Sequence, residues 1–267
     1  MCKKILITGA TDGIGLATAK QLRQQGYDVL LHGRNPEKLA RVAVELAGFG
    51  KLATYVADLS NMHDVLAFAK AIVAEHQQLD VLINNAGVLN SAVTFTEEGL
   101  DIRFAVNAVA PYLLTEQLLP LLGDTGRVVN LSSAAQAPIN FDALIGNVTL
   151  SAMDAYAQSK LAMTMWSISL GTDRGSHGPM ILAVNPGSLL GSKMVKEGFG
   201  TIGKDLAIGV DVLVRASLAD EFADAQGRYF DNDIGCFADP HPDALQPAKR
   251  LAIVQALNMI VNQRLKR

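Results

Sequence analysis

A strand that ends in a glycine-punctuated turn and continues as a helix is compatible with few folds, and this chain opens with one. Lys4 to Thr8 is a short apolar run of the kind that forms a strand buried on both faces, and it stops at Gly9. Thr8-Gly9-Ala10-Thr11-Asp12-Gly13-Ile14-Gly15 follows, and Ala17 to Gln25 then reads as an amphipathic helix closed by Gly26. Glycines in such a turn let the backbone reverse sharply, let a pyrophosphate approach amide groups, and let the helix pack close to the strand; the helix N-terminus adds partial positive charge. Gly9, Thr11, Asp12, Gly13, Ile14 and Gly15 are therefore candidate phosphate contacts. Asp12 is an awkward anion there and reads equally well as a helix cap. A turn that binds nothing is the competing reading; the strand-turn-helix context weighs against it, although the spacing differs from G-x-G-x-x-G.

The same rhythm recurs along the chain. Tyr27 to His32 reads as a second strand, Pro36 to Ala47 as a helix, Lys51 to Ala57 as a third strand ending in Asp58-Leu59-Ser60, and Asn61 to His76 as a helix. Leu79 to Ile83 runs straight into Asn84-Asn85-Ala86-Gly87, which suggests backbone packed close against a ligand or another strand. Leu100 to Leu122 is a long helix interrupted in tone by Asn107 and Pro111; the proline has no N–H for the Asn107 carbonyl, and that oxygen is freed for another partner. Gly126 to Ser133 is a fifth strand ending in two hydroxyls, Met180 to Val184 a sixth that delivers Asn185-Pro186-Gly187, and Arg228 to Phe230 a short last one. Leu206 to Leu218 and Pro247 to Leu265 are helical.

Strands alternating with helices in this way predict an α/β fold: a doubly wound parallel sheet of the Rossmann type, three-layer, with about seven strands in one domain over 1–267. Ligands in such sheets gather at the carboxyl ends of the strands, where each of these motifs lies. Two stretches read as substrate loops. Residues 134–150 have no clear period, and 188–204 carries Leu189, Leu190, Met194, Val195 and Phe199 among four glycines, as a lid over a pocket or a flexible surface loop would.

The end of the second strand is where a dinucleotide fold selects its cofactor. An acidic residue there would bind the adenine-side ribose diol; this chain has Gly33-Arg34-Asn35, and a guanidinium can hold a 2′-phosphate by paired charge-assisted bonds. Arg34 thus argues for NADP(H) over NAD(H), against the plain reading of a surface arginine opening a helix.

Tyr156 and Lys160 lie one helical turn apart on one face, behind a capping-box-like Ser151 and Asp154. A free phenol titrates near pH ~10 and a useful acid or base near ~7, so ~4 kcal/mol must come from the surroundings. An ammonium at ~4 Å and an effective dielectric of ~20 is worth about that much. By itself the pair is weak evidence, because a half-buried ring and a solvated amine give the same spacing.

The bulk of the chain excludes other classes. Its 267 residues carry a net charge of -3, and there is no basic block larger than a pair such as Lys249-Arg250 or the closing Arg264, Lys266 and Arg267, so nucleic acid is not an expected partner. Cys2 and Cys236 are far apart and in no metal-ligand spacing, and no metal site is expected. The first apolar run is too short for a signal peptide, and no run approaches the ~20 residues of a membrane helix; the expectation is a cytoplasmic protein without a membrane span.

Thr8-Gly9-x-x-x-Gly13-Ile14-Gly15, Asn84-Asn85-Ala86-Gly87, Ser133, Tyr156-x-x-x-Lys160 and Pro186-Gly187, in this order, resemble the short-chain dehydrogenase/reductase family from Lys3 to about Gly235. The insertion before the tyrosine, with Ile139-Asn140-Phe141-Asp142, looks most like the retinol-dehydrogenase-like branch. The resemblance implies a catalytic tetrad of Asn107, Ser133, Tyr156 and Lys160. In it Tyr156 exchanges a proton with the substrate oxygen, Ser133 polarises that oxygen, Lys160 binds the nicotinamide ribose and favours phenolate, and the Asn107 carbonyl holds a relaying water. It also implies that Asp58 and Leu59 meet the adenine, Asn85 and Gly87 the adjoining ribose, and Pro186 and Gly187 the nicotinamide end. Homodimers or homotetramers built on the helices Leu100 to Leu122 and Ser151 to Leu170 are implied as well. One departure stands out: where the family places a threonine four residues beyond the glycine of Pro-Gly, to bond the nicotinamide amide, this chain has Gly191, followed by Ser192.

The expectation is an NADP(H)-dependent oxidoreductase interconverting a carbonyl and an alcohol on a small to medium, mainly apolar substrate; a dinucleotide-binding sensor or scaffold without turnover is the alternative. If Arg34 selects the 2′-phosphate, NADPH at ~100 times its Kd should stabilise the protein by ~2.7 kcal/mol and raise its Tm more than NADH at the same concentration. An equal or larger shift with NADH removes the Arg34 argument.

Overall fold

Eight strands form one sheet in a computed structural model of the protein, which describes residues 2–48, 50–175 and 177–266 and, at Phe199, the backbone alone. They are β1 (Lys4–Ile7), β2 (Asp28–Gly33), β3 (Leu52–Val56), β4 (Val81–Asn84), β5 (Arg127–Leu131), β6 (Met180–Asn185), β7 (Tyr229–Asp231) and β8 (Cys236–Phe237), in the order β3-β2-β1-β4-β5-β6-β7-β8. The first seven run parallel. The chain winds outward from β1 to β3 and then returns to start the other half at β4, so the reversal of strand order falls between β1 and β4, where such sheets bind their ligands.

β8 is the strand that the sequence reading of about seven omits. It is two residues long, too short to show an alternating pattern, and it pairs antiparallel with β7 through Phe230–Phe237 and Asp231–Cys236.

Alternation along the strands sends side chains to two cores. Ile5, Ile7, Val29 and Leu31 pack beneath α1 (Gly13–Gln24), α2 (Pro36–Glu45) and α9 (Ala207–Leu218). Leu6, Leu30, Leu82 and Val128 pack against α3 (Met62–Glu75), α5 (Ala110–Leu122) and α7 (Ala152–Arg174) on the other face. This is the expected three-layer arrangement. α10 (Pro247–Arg264) lies outside it, against α7, buries Ile253, Leu257 and Ile260, and is tied to α5 by the Tyr112 hydroxyl donating to Asn258 Oδ1 at 2.9 Å. Residues 157–171 of α7, one of the helices on which a subunit contact is expected, are buried between the sheet, the segment 102–109 and α10.

Three segments depart from the sequence reading. The helix expected over Leu100 to Leu122 is split into a short α4 (Ile102–Phe104), a π-helical turn over Ala105–Val109 and α5; the wide turn is centred on Asn107, four residues before the proline that cannot donate to it. The loop 134–150 contains α6 (Phe141–Leu144), capped by Asn140. The stretch 188–204, expected as a lid or a surface loop, contains α8 (Lys193–Phe199), a helix of seven residues too short to show a period; the side chain of Phe199, one of the apolar groups expected there, lies outside the described residues.

Candidate active site

The carboxyl ends of β1 and β4 are joined by side chains before any ligand is considered. Thr8 Oγ1 accepts the N–H groups of Asn85 and Ala86, both at 3.0 Å, and Asn85 Nδ2 donates to the carbonyls of Thr8 (2.8 Å) and Gly9 (3.1 Å). That contact leaves no space for a side chain at Gly15, where a Cβ would come within 2.3 Å of Asn85 Nδ2. The Asn85 amide nitrogen is therefore spent on the glycine turn; only its oxygens remain for the ribose contact expected of it.

Asp12 caps α1 by accepting the Gly13 N–H at 2.8 Å, so of its two readings the structure has the cap. Gly13 itself (φ +54°) faces open space with only Ser192 nearby. Arg34 is exposed just past β2 and forms no ion pair among the described residues. Asp58 folds back on its own turn, Oδ1 accepting the Ser60 N–H and hydroxyl, while Leu59 is buried.

The four candidate catalytic residues converge at the neighbouring strand ends. Asn107 is fully buried; its Oδ1 accepts the Val88 N–H at 2.8 Å and its Nδ2 donates to Val88 O (2.9 Å) and Ser159 Oγ (3.0 Å), clasping the peptide that follows Gly87. Gly87 faces both Asn107 and Lys160: a Cβ there would lie 3.4 Å from Asn107 Oδ1 and 3.5 Å from Lys160 Nζ. Lys160 is 4% exposed, and its ammonium donates to the Leu131 carbonyl at 2.6 Å. The Tyr156 ring centre is 5.7 Å from that ammonium, and Ser133 is the side chain that acts to lower its phenol. Of the two serines, Ser132 is buried against Thr164 (2.6 Å), whereas Ser133 faces the tyrosine.

The protonation states differ from the sequence argument. Burial raises the Tyr156 phenol above its ordinary value, with the Ser133 hydrogen bond as a smaller opposing effect. Burial also pulls Lys160 down to about 8. The expected lowering of the phenol by the ammonium does not dominate, because a low-dielectric site penalises phenolate and ammonium alike. The spacing revealed the charge; it could not reveal the desolvation.

These motifs match known proteins. Residues 3–201 match the family model described as short chain dehydrogenase. The chain belongs to the short-chain dehydrogenase family. Within it the likeness is to the retinol-dehydrogenase-like branch: the chain is 30% identical to human retinol dehydrogenase 13 over 93% of its own length and 82% of the relative's, and 32% identical to bovine retinol dehydrogenase 12 over 93% and 84%. A solved structure of a short chain dehydrogenase from Burkholderia cenocepacia J2315 in complex with NADP superimposes with a TM-score of 0.70 at 26% identity, covering 87% of this chain and 97% of that one.

In this member of the family, several residues that support the site carry no sequence motif. Arg103 donates from Nε to Leu89 O at 2.8 Å while paired with Asp101 at 3.1 Å, both buried, and so fixes the chain just beyond Val88. Tyr229 on β7 donates to Ser133 O at 3.2 Å. His32, which the strand pattern marks only as a last residue, joins three strand ends: Nδ1 accepts the Gly9 N–H at 3.1 Å, so Nε2 carries the proton and donates to Ala57 O at 3.1 Å.

Burial lowers His32 from 6.5 to about 4. The neutral ring is the folded form, so its contribution, roughly 3 kcal/mol for that shift, is complete above pH 6.5 and is lost as pH falls toward 4. Urea unfolding across this window should show wild type losing stability more steeply than His32→Gln. Parallel curves for the two proteins would contradict the assignment.

Proposed function

We propose that the protein is an NADP(H)-dependent carbonyl reductase whose proton donor is Tyr156. The observation that carries this reading is the Lys160 ammonium, buried 5.7 Å from the centre of the Tyr156 ring, with a glycine, Gly87, leaving space beside it. The turn between β1 and α1 fits a dinucleotide: Gly9 (φ +66°) has Ala86 Cα 2.9 Å from where a Cβ would sit, so the backbone there is bare, and Gly13 opens outward at a helix N-terminus.

In this reading Gly13, Ile14 and Gly15 would hold the pyrophosphate, Arg34 the 2′-phosphate, Asp58 and Leu59 the adenine, Gly87 and Lys160 the ribose, and Pro186 and Gly187 the nicotinamide end. A bound nicotinamide supplies the hydride. Tyr156 holds its proton at neutral pH because burial disfavours phenolate, which suits a general acid delivering a proton to a carbonyl oxygen as negative charge develops there. Ser133, which acts on the Tyr156 phenol, would stabilise the same oxygen. Lys160 keeps a positive charge near the phenol as it ionises, offsetting the cost of a buried phenolate. Asn107 holds the Val88 peptide, and with it Gly87, at a fixed distance from Lys160.

The substrate is a small to medium carbonyl compound of apolar character, met by the exposed Leu189; Leu190 is buried against Gly187 and Gly209. All four catalytic groups come from one chain, so the chemistry needs no second copy. No helix among the described residues is long and apolar enough to cross a membrane.

Tyr156→Phe should lower kcat/KM for NADPH-dependent reduction by at least ~10²-fold, the usual contribution of a general acid, while leaving NADPH binding intact. Unchanged turnover of every accepted carbonyl would remove Tyr156 from the chemistry.

A further inference from the structure

The turn between β7 and β8 grips the segment that follows β6. Asp233 Oδ1 accepts the Ser188 N–H at 2.9 Å, and its Oδ2 accepts Asn185 Nδ2 at 2.9 Å and the Ser188 hydroxyl. Asn185 Nδ2 also donates to Asp231 Oδ1 (2.8 Å), and Asn232 Nδ2 donates to Pro186 O (3.0 Å). Every residue from Asn185 to Ser188 is thus held by this turn or its neighbour, Gly187 through its own N–H on Asn185 Oδ1 at 3.2 Å. Lys204 Nζ lies 3.6 Å from Asp233 Oδ1, so one carboxylate touches both ends of the 188–204 lid. Burial acts to raise the Asp233 carboxyl, but its bonds from Ser188 and Asn185 and the Lys204 charge hold it below the usual range.

The two ends of the lid also meet directly. Gly191 N–H donates to Lys204 O and Lys204 N–H to Leu189 O, both at 2.7 Å, around a parallel bridge between Leu190 and Lys204. Leu189 is held at φ 56°, the one non-glycine residue with positive φ among those described. Such strain persists where the surroundings enforce it. A Cβ on Gly191 would fall 2.9 Å from Ile202 O and 3.0 Å from Lys204 O. This accounts for the missing threonine: the close approach of backbones leaves no space for one. Above the clasp the lid crosses the cleft, Ser192 lying against Gly13 of the phosphate turn and Gly198 against Leu89.

We propose that Asp233 is a positioning residue that seats the Asn185–Ser188 turn and, together with the Gly191–Lys204 clasp, holds the lid across the dinucleotide cleft. The proposal rests on the NADP(H) reading above for its consequence in binding, but the latch itself is a property of the apo chain. Asp233 acts through the turn and the lid and touches no reacting atom. Removing its carboxylate frees Ser188 and Lys204 together and raises the population of open lid, in which the helical backbone of α8 around its surface residues Lys193 and Lys196 can unwind into a protease.

The test uses the full-length protein. Tryptic cleavage at Lys193 and Lys196, which follows the open population when closing is fast, should be about tenfold faster in Asp233→Ala than in wild type, with the thermal midpoint of the rest of the chain little changed. The NADPH Kd by fluorescence titration should rise by a similar factor, and Asp233→Asn, which keeps an oxygen for Ser188 but loses the charge facing Lys204, should fall between the two. Gly191→Thr, which disrupts the clasp and leaves Asp233 intact, should also speed cleavage and stands in if Asp233→Ala does not fold. Wild-type cleavage rates in the folded Asp233 variant, or in Gly191→Thr where that variant does not fold, overturn the latch. Faster cleavage in a chain that binds neither NADPH nor NADH keeps the latch and overturns the cofactor reading instead.

Discussion

One buried ammonium sets the terms for everything around it. Lys160 is almost entirely removed from water, and its charge is compensated by the Leu131 carbonyl at the end of β5 rather than by a carboxylate. Burying a cation without an anion costs several kcal/mol, and a chain that keeps it must build the surroundings around that cost. Gly87 supplies the space beside Nζ, Asn107 fixes the peptide next to that space, and the π-helical turn presents Asn107 at the required height. Tyr156, one turn back along α7, is half-buried, and the surroundings of its phenol raise it above its ordinary value.

The scaffold positions this group by stitching strand ends together. Thr8 and Asn85 join β1 to the segment after β4, His32 joins β1, β2 and β3, and Tyr229 draws β7 toward Ser133. Each bond lies on the carboxyl side of a parallel sheet, where loops are otherwise free to move. The result is a stitched floor with one long segment, 188–204, held by its two ends.

Where the sequence was legible, the signal was backbone chemistry. Glycine at 9, 13 and 15, proline at 111 and the Pro186-Gly187 step constrain the main chain directly, so the turns and strand ends they mark fall within a residue or two of the structure. Apolar periodicity does the same for the helices Met62–Glu75, Ala207–Leu218 and Pro247–Arg264, but it runs through the break at Asn107. The hidden parts are those whose meaning depends on residues distant in sequence. β8 exists because Phe237 meets Phe222 and Phe230 in an aromatic cluster, not because two residues show a pattern. Asp233 is one aspartate among many until its turn meets Ser188. The Tyr156–Lys160 pair is visible as a spacing, yet the direction in which the phenol shifts is not, since desolvation is a property of the packed site.

The central claim is that the buried charge on Lys160 is what lets the phenol work. Burial brings that group down to about 8, so the pH dependence of NADPH-driven carbonyl reduction tests it most directly. Because the lowered value means the charged form is lost early as pH rises, kcat/KM should fall along a basic limb near pH 8, and Lys160→Arg, whose guanidinium stays protonated, should shift that limb upward. A wild-type rate that stays level well beyond pH 8, or a limb unmoved by the arginine, would contradict the account.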